Sequence, residues 1–188
     1  MAMSAEVVRA RAILQRLNGA EHLVGAEIGV FSGALSRLLL SRSGVFLYMV
    51  DSWLSEDRQS EERRESIDYH AHLTAREQQY YYFAAMVNTE FAENRRKVLM
   101  MDSLEAARHI ADRSLDFVFI DADHSYEGCK ADIEAWLPKV KLGGLLGGHD
   151  YENTEFPKFE VARAVNEAVE NRGWQLDRGE NFTWFVRT

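Results

Sequence analysis

Two short runs hold the densest chemistry in this chain: Asp121-Ala122-Asp123-His124 and Gly147-Gly148-His149-Asp150. Each follows an apolar stretch, so each begins where a buried strand should end. If those strands are neighbours, Asp121, Asp123, His149 and Asp150 meet at one rim. Three carboxylates so close repel one another unless a cation or a proton sits between them. Oxygen-rich ligation suits Mg²⁺, Mn²⁺ or Ca²⁺, and a histidine among the ligands tilts the choice toward Mn²⁺ or Fe²⁺. The competing reading has one aspartate capping a helix while the others face water.

Three more acids stand at the ends of earlier apolar runs. Glu27 opens Glu27-Ile28-Gly29-Val30-Phe31-Ser32-Gly33, an E-x-G-x-x-x-G pattern. Glycines at such a turn let the backbone approach a ligand closely. A dinucleotide site would show G-x-G-x-x-G aimed at a pyrophosphate. An acid in first place repels phosphate and suits a cationic ligand. Asp51 closes VFLYMVD, where a carboxylate can accept bonds from both ribose hydroxyls of a nucleoside or cap the next segment. Asp102-Ser103 follows KVLMM, with the same capping alternative. The convergence of these acids on one edge of a sheet weighs more than any one of them.

The scaffold must therefore align several strand ends. Apolar runs alternating with helical patterns mark βαβ units on a parallel sheet. The pattern predicts a helix over 4–17, strands over 23–31, 45–51, 97–101, 115–122 and 143–147, and helices over 33–41, from 103, over 126–140 and over 159–172. Gly173 should cap the last helix. Residues 174–177 and 182–186 then form an antiparallel pair at the sheet edge. Cys129 and Trp136 share the apolar face of their helix and read as core.

Residues 52–94 are too many for one crossover helix. The segment 54–82 is read as a lid or insertion over the carboxyl ends of the strands, where open α/β folds bind ligands. Its Tyr69, His70, His72 and the run Tyr80 to Phe83 either face an acceptor or pack on the sheet.

With 188 residues the chain fits a single domain, usually about 100–200 residues. It is 46% hydrophobic and 28% charged with only two prolines, which argues against disorder. No apolar run nears the length of about 18 residues that a membrane span needs. The charged start does not read as a secretory signal. One cysteine excludes an internal disulfide and fits a reducing cytoplasm. A formal charge of −8 speaks against nucleic acid as partner. No membrane is expected; a homo-oligomer is compatible with the sequence.

The run FIDADHSYEGCKADIEAWLPKVKLGGLLGGHDY, together with EIGVFSG and VDSW, resembles the class I S-adenosylmethionine-dependent methyltransferases. It is most similar to the small, often metal-dependent O-methyltransferases that include the sugar O-methyltransferases of macrolide and aminocoumarin biosynthesis. The resemblance implies a Rossmann-like doubly wound α/β sheet of seven strands, mostly parallel, with an antiparallel C-terminal edge hairpin. It implies that Glu27, Gly29, Phe31, Ser32 and Gly33 line the methionine and ribose part of the cofactor. Asp51 would hold the ribose with Trp53 beside it, and Asp102 and Ser103 would contact the adenine. By the D-x-D motif, Asp121 would bind a divalent metal, Mg²⁺ or another ion, and Asp123 would act as base. Asp150 matches the second metal position, whereas His149 stands where the family has an acid. His124 is the alternative catalytic residue.

The reading that follows is methyl transfer to a hydroxyl of a small molecule, such as a sugar or other polyol. Two readings compete with it: a metal-independent methyltransferase acting on an amine or macromolecule, and a non-catalytic S-adenosylmethionine-binding protein.

Overall fold

The computed structural model describes residues 3–17, 19–65 and 68–188, without the side chains of residues 62 and 63. Seven strands form one sheet in the order β3-β2-β1-β4-β5-β7-β6. In chain order they are β1 Leu23–Ile28, β2 Val45–Asp51, β3 Arg96–Met100, β4 Leu115–Ile120, β5 Val140–Gly148, β6 Asp177–Arg178 and β7 Trp184–Arg187. The first five are parallel, and β7 runs antiparallel between β5 and β6. Strand order reverses between β1 and β4, which opens a crevice at the carboxyl ends of the strands.

Helices cover both faces, which is why β1 and β4 are apolar almost throughout. On one face α5 (Ser103–Arg108), α6 (Tyr126–Trp136) and α7 (Val161–Arg172) bury Ala106, Cys129, Ile133, Trp136 and Val165. On the other, α1 (Ala5–Arg16), α2 (Ala34–Leu40) and α4 (Ala75–Asn88) contribute Ile13, Leu39, Leu40 and Ala85. The remaining helix, α3 (Glu61–Arg64), lies in the long β2–β3 connection. No described helix is long and apolar enough to cross a membrane.

Several boundaries differ from the sequence pattern for local reasons. β1 stops at Ile28, because Gly29 (φ 86°) and Phe31 (φ 53°) turn the chain out of the sheet. β4 stops at Ile120 and leaves Asp121 and Ala122 to the loop. α6 ends at Trp136, and a 3-10 turn over Leu137–Lys139 carries Pro138, which has no N–H to continue the ladder. β5 therefore begins at Val140, with an irregularity in its pairing to β4. α7 begins at Val161 and closes on Gly173 in the left-handed conformation (φ 64°), as expected. The C-terminal pair is shorter than expected, since β6 has two residues.

Register is what aligns the site. Ile28 lies opposite Ile120, and Ile120 opposite Gly148. Backbone bonds continue one residue past the strands: Gly29 N to Val50 O at 2.9 Å, Asp121 N to Ile28 O at 2.7 Å, and His149 N to Ile120 O at 3.0 Å. Four strand ends are thereby pinned at one level.

Candidate active site

The loop after β1 is held in shape by Asp51. Its Oδ2 accepts from Val30 N (3.0 Å) and Phe31 N (2.8 Å), and its Oδ1 accepts from Trp53 N (2.8 Å). Phe31 and Trp53 (φ 42°) both sit in the left-handed region, costly for bulky residues by about 1–3 kcal/mol each. The carboxylate ties down both strained residues. Burial pushes the Asp51 carboxyl above its ordinary value, with those three N–H donors working the other way. Gly29 approaches the next strand end so closely that a Cβ would lie 1.9 Å from Asp121 O, so no other residue fits there.

Glu27 is buried at the back of this loop and accepts a short hydrogen bond from Ser36 Oγ of α2. Burial pushes its carboxyl up to about 8; Ser36 opposes that shift, and the charge of Asp121 adds to it. A cationic group placed against it would restore its charge.

Beyond Glu27 lies a knot of acids and imidazoles. Asp121 Oδ2 accepts from Arg9 Nη1 of α1 at 2.7 Å. Asp121 Oδ1 lies 3.4 Å from His149 Nδ1 and 3.7 Å from His124 Nε2. Asp150 Oδ2 lies 2.9 Å from both of those nitrogens, while its Oδ1 accepts from Asn153 Nδ2 at 2.5 Å. Asp150 itself is left-handed (φ 60°), which turns its carboxylate inward. His124 is buried and stacks on Phe159 at 4.2 Å between ring centroids. Its Nδ1 meets Asp68 Oδ2 at 2.8 Å.

The charges explain each other. Burial alone would raise Asp121 and Asp150, yet both are held well below the ordinary carboxylate range by His124 and His149, with Arg9 assisting at Asp121. Burial likewise disfavours charge on both histidines, but the surrounding carboxylates win. His149 rises to about 9, and His124 rises well above its ordinary value.

Asp121, His124 and Asp150 bring one ligand atom each within 4.8 Å of one another. With Nδ1 committed to Asp68, His124 turns Nε2 toward two carboxylates without a well-aligned hydrogen bond. That is the carboxylate–histidine arrangement that orients a metal ligand. The donor set of two carboxylates and one imidazole fits a divalent ion. The set inferred from sequence was Asp121, His149 and Asp150. The structure adds His124, assigned above to catalysis, while His149 offers Nδ1 to the same two carboxylates.

One cavity of about 1010 Å³ connects these groups. Glu27, Gly29, Phe31, Ser32, Asp51, Asp102, Ser103, Asp121, Asp123, His124, His149 and Asp150 all line it. Asp102 also caps α5, accepting from Leu104 N at 2.9 Å. Ser103 Oγ donates to Asp132 and accepts from Trp136 Nε1. Asp123 Oδ1 accepts from Ser125 N at 2.9 Å.

Two expected residues are not brought to the wall. Trp53 turns its indole back to donate to Phe31 O at 2.9 Å. Gly33 (φ 73°) starts α2 and admits α4, since a Cβ there would lie 2.8 Å from Ala85 Cα. Both support the loop from behind. From the segment 54–82, Leu54, Arg58, Gln59, Ser60, Asp68, Tyr69, His70 and Gln78 line the cavity, whereas Tyr80, Tyr81, Tyr82 and Phe83 do not; residues 66 and 67 lie outside the described residues. Arg9 and Asp68 were not singled out from sequence.

This strand order, with a glycine turn after β1 and an acid ending β2, matches the Rossmann-like fold of the class I methyltransferases. The chain belongs to the methyltransferase domain family, whose model matches residues 26–151. Among solved structures it is similar to CalS11, a calicheamicin methyltransferase (TM-score 0.69, 15% identity, 97% of this chain and 78% of that one). It is also similar to NovP, an O-methyltransferase (0.63, 17%, 97% and 78%), and to the O-methyltransferase from Bacillus cereus in complex with SAH (0.61, 17%, 100% and 83%). At these identities the likeness is one of fold. The uncharacterized protein y4gI of Sinorhizobium fredii is 30% identical over 108 residues, 57% of this chain. The match spans 10% of that protein's length.

Proposed function

We propose that the chain transfers the methyl group of S-adenosylmethionine to a hydroxyl of a small molecule, such as a sugar or other polyol, with a divalent ion assisting. The observation that carries this reading is the continuous cavity running from Asp102 past Asp51 and Glu27 to Asp121 and Asp150. Its three zones match three chemistries. Asp51 presents a carboxylate suited to ribose hydroxyls. Glu27, poised near its ionisation, suits the ammonium of an amino acid. Asp121, His124 and Asp150 suit a hard divalent ion.

S-adenosylmethionine supplies, when bound, a sulfonium-activated methyl group. A divalent ion on Asp121, His124 and Asp150 would lower the pKa of an acceptor hydroxyl, as metals do for bound water. Around these groups the protein aligns and desolvates. Asp68 fixes the His124 ring, and Arg9 and Asn153 fix the second oxygens of Asp121 and Asp150. Asp123, on the cavity wall, receives the acceptor proton. Alignment of this kind can supply about 7–11 kcal/mol of a barrier. The segment 54–82 acts as the wall over the acceptor.

A second reading rests on His149. Its Nε2 is buried without a hydrogen-bond partner, and its Nδ1 is oriented by Asp150. In a metal-independent reaction that nitrogen would take the proton only while His149 is neutral, so this reading requires turnover to rise toward about pH 9.

The test is a binding and turnover pair. S-adenosylhomocysteine should raise the melting temperature while NAD does not. S-adenosylmethionine with a panel of polyols, phenols and amines should yield S-adenosylhomocysteine for hydroxyl acceptors. Asp123→Asn then separates the readings: it stops turnover if Asp123 is the base and spares it if His149 is.

A further inference from the structure

We infer that Phe156 is a specificity-determining residue: it stacks an aromatic ring of the acceptor, which carries its reacting hydroxyl on a separate part of the molecule and bears no phosphate. The inference rests on the proposed methyl transfer to a hydroxyl and names the acceptor more closely.

The loop between β5 and α7 builds an aromatic wall out of the candidate ion site. His124 and Phe159 are parallel within 4°, and Phe159 and Phe156 within 11° at 5.0 Å between centroids. All three line the cavity. The wall is fixed before any ligand arrives. Glu160 N donates to His124 O at 2.9 Å, Phe159 N donates to Phe156 O at 3.0 Å, and Asn153 ties the start of the loop to Asp150. Phe159 covers one face of Phe156, yet Phe156 is still 49% exposed. A lone exposed aromatic is ordinary. This one ends a preformed stack on a cavity wall, where a further flat ring adds in the same way. Phe159 stands between Phe156 and the ion site, so the part of the acceptor at the ion and the part on Phe156 are distinct.

The rest of that end agrees. Phe182 lines it, held in the left-handed region (φ 55°) with Tyr151 N donating to its carbonyl at 2.9 Å. Bulky residues stay there only where their surroundings force it. The amides that could read a saturated polyol are engaged: Gln59 donates to Leu54 O, Gln78 to His70 O and Asn153 to Asp150. Charge speaks against a phosphate. The lining arginines are Arg9 and Arg58, and Arg9 is held by Asp121 and Glu6, while Glu6, Asp68 and Glu155 line the same end.

Calorimetry on the whole chain with S-adenosylhomocysteine and Mn²⁺ tests this with phenyl and cyclohexyl glucoside, which differ only in whether one ring is aromatic. Phenyl glucoside should bind on the order of tenfold more tightly. Phe156→Leu keeps apolar bulk and should erase the difference; Phe156→Tyr should keep it. The 6-phosphate of phenyl glucoside should bind more weakly than phenyl glucoside itself. Failure of phenyl glucoside to bind, equal binding of the two glucosides, a preference that survives Phe156→Leu, or tighter binding of the phosphate would each overturn the inference. Turnover separates it from the reaction beneath it. Binding of phenyl glucoside through Phe156, with no S-adenosylhomocysteine formed from S-adenosylmethionine on any hydroxyl compound, would sink the methyl transfer and leave the stacking subsite. Methylation of a saturated polyol, unchanged in Phe156→Leu and no slower than that of phenyl glucoside, would keep the reaction and sink the inference.

Discussion

Asp68 Oδ2 lies 2.8 Å from Nδ1 of His124, joining the long β2–β3 connection to the loop after β4 across 56 positions of sequence. Both side chains are buried. An ionised carboxylate only accepts, so Nδ1 carries the hydrogen and Nε2 is the nitrogen turned to Asp121 and Asp150. The connection, several of whose residues line the cavity, thus also sets the orientation of a group inside it.

Asp68→Ala should therefore damage folding and site together. Removing one partner of a buried pair costs about 3–5 kcal/mol, because the other is left uncompensated. For a chain of this size that is a fall in melting temperature of roughly 6–20 °C. Asp68→Asn keeps an acceptor oxygen for Nδ1 and should lose less. Equal melting of Asp68→Ala and wild type would show that the bond contributes nothing.

Asp51→Ala should weaken S-adenosylhomocysteine binding by about 1–3 kcal/mol, the usual range for bonds to a charged group. The structure adds a second effect. The same carboxylate holds Val30, Phe31 and Trp53, two of them in the left-handed region, so the variant should also melt lower without ligand. Calorimetry and thermal melts of the one variant read both effects.

How much of this was legible follows from where each residue stands. Asp51, Asp121 and Asp150 each close or follow a buried parallel strand, and such strands read as unbroken apolar runs ended by a polar residue. The meeting of Asp121 and Asp150 needed only the assumption that β4 neighbours β5, and Asp51 joins them because β1 pairs with both β2 and β4. Arg9 and Asp68 carry no such mark. Arg9 sits on a helix whose charges look solvated, and it reaches Asp121 across 112 positions. Asp68 lies in a run of charges where a buried acid looks like any other. His124 reads as a loop residue until Phe159 stacks on it and Asp68 holds it. Trp53 and Gly33 sit in motif positions, but the motif gives no side-chain direction: a backward-turned indole and a close helix contact place both behind the wall.

Glu27 gives a pH prediction. Its carboxyl is raised from 4.5 to about 8 in the folded chain, so the folded state holds that proton more tightly than the unfolded one. The contribution favours folding below about pH 4.5 and is lost as pH rises toward 8. The full difference corresponds to on the order of 5 kcal/mol. Glu27→Gln, permanently neutral, should match wild type near pH 4 and be the more stable at pH 8 in urea melts without ligand. With S-adenosylhomocysteine the advantage should shrink, because the amide offers an ammonium no charge. A wild-type protein as stable as the variant at pH 8 would contradict the buried, proton-holding state of Glu27.

The proposed metal site gives the last prediction. Asp121 and Asp150 turn Oδ1 and Oδ2, respectively, toward His124 Nε2, and their other oxygens are taken by Arg9 and Asn153. Those outer contacts leave one inward oxygen on each acid and fix its direction, which is what a preorganised ion site requires. Mn²⁺ or Mg²⁺ should therefore raise the melting temperature of wild type, and EDTA should reverse the rise. Asp121→Ala and Asp150→Ala should lose the response. His124→Ala should weaken it, and His149→Ala should leave most of it, since three donors remain. Turnover should fall on chelation and return with one of the ions, but not in Asp121→Ala or Asp150→Ala. Full turnover in EDTA, rising toward about pH 9, would instead assign the proton to Nε2 of neutral His149, whose Nδ1 faces the same two acids.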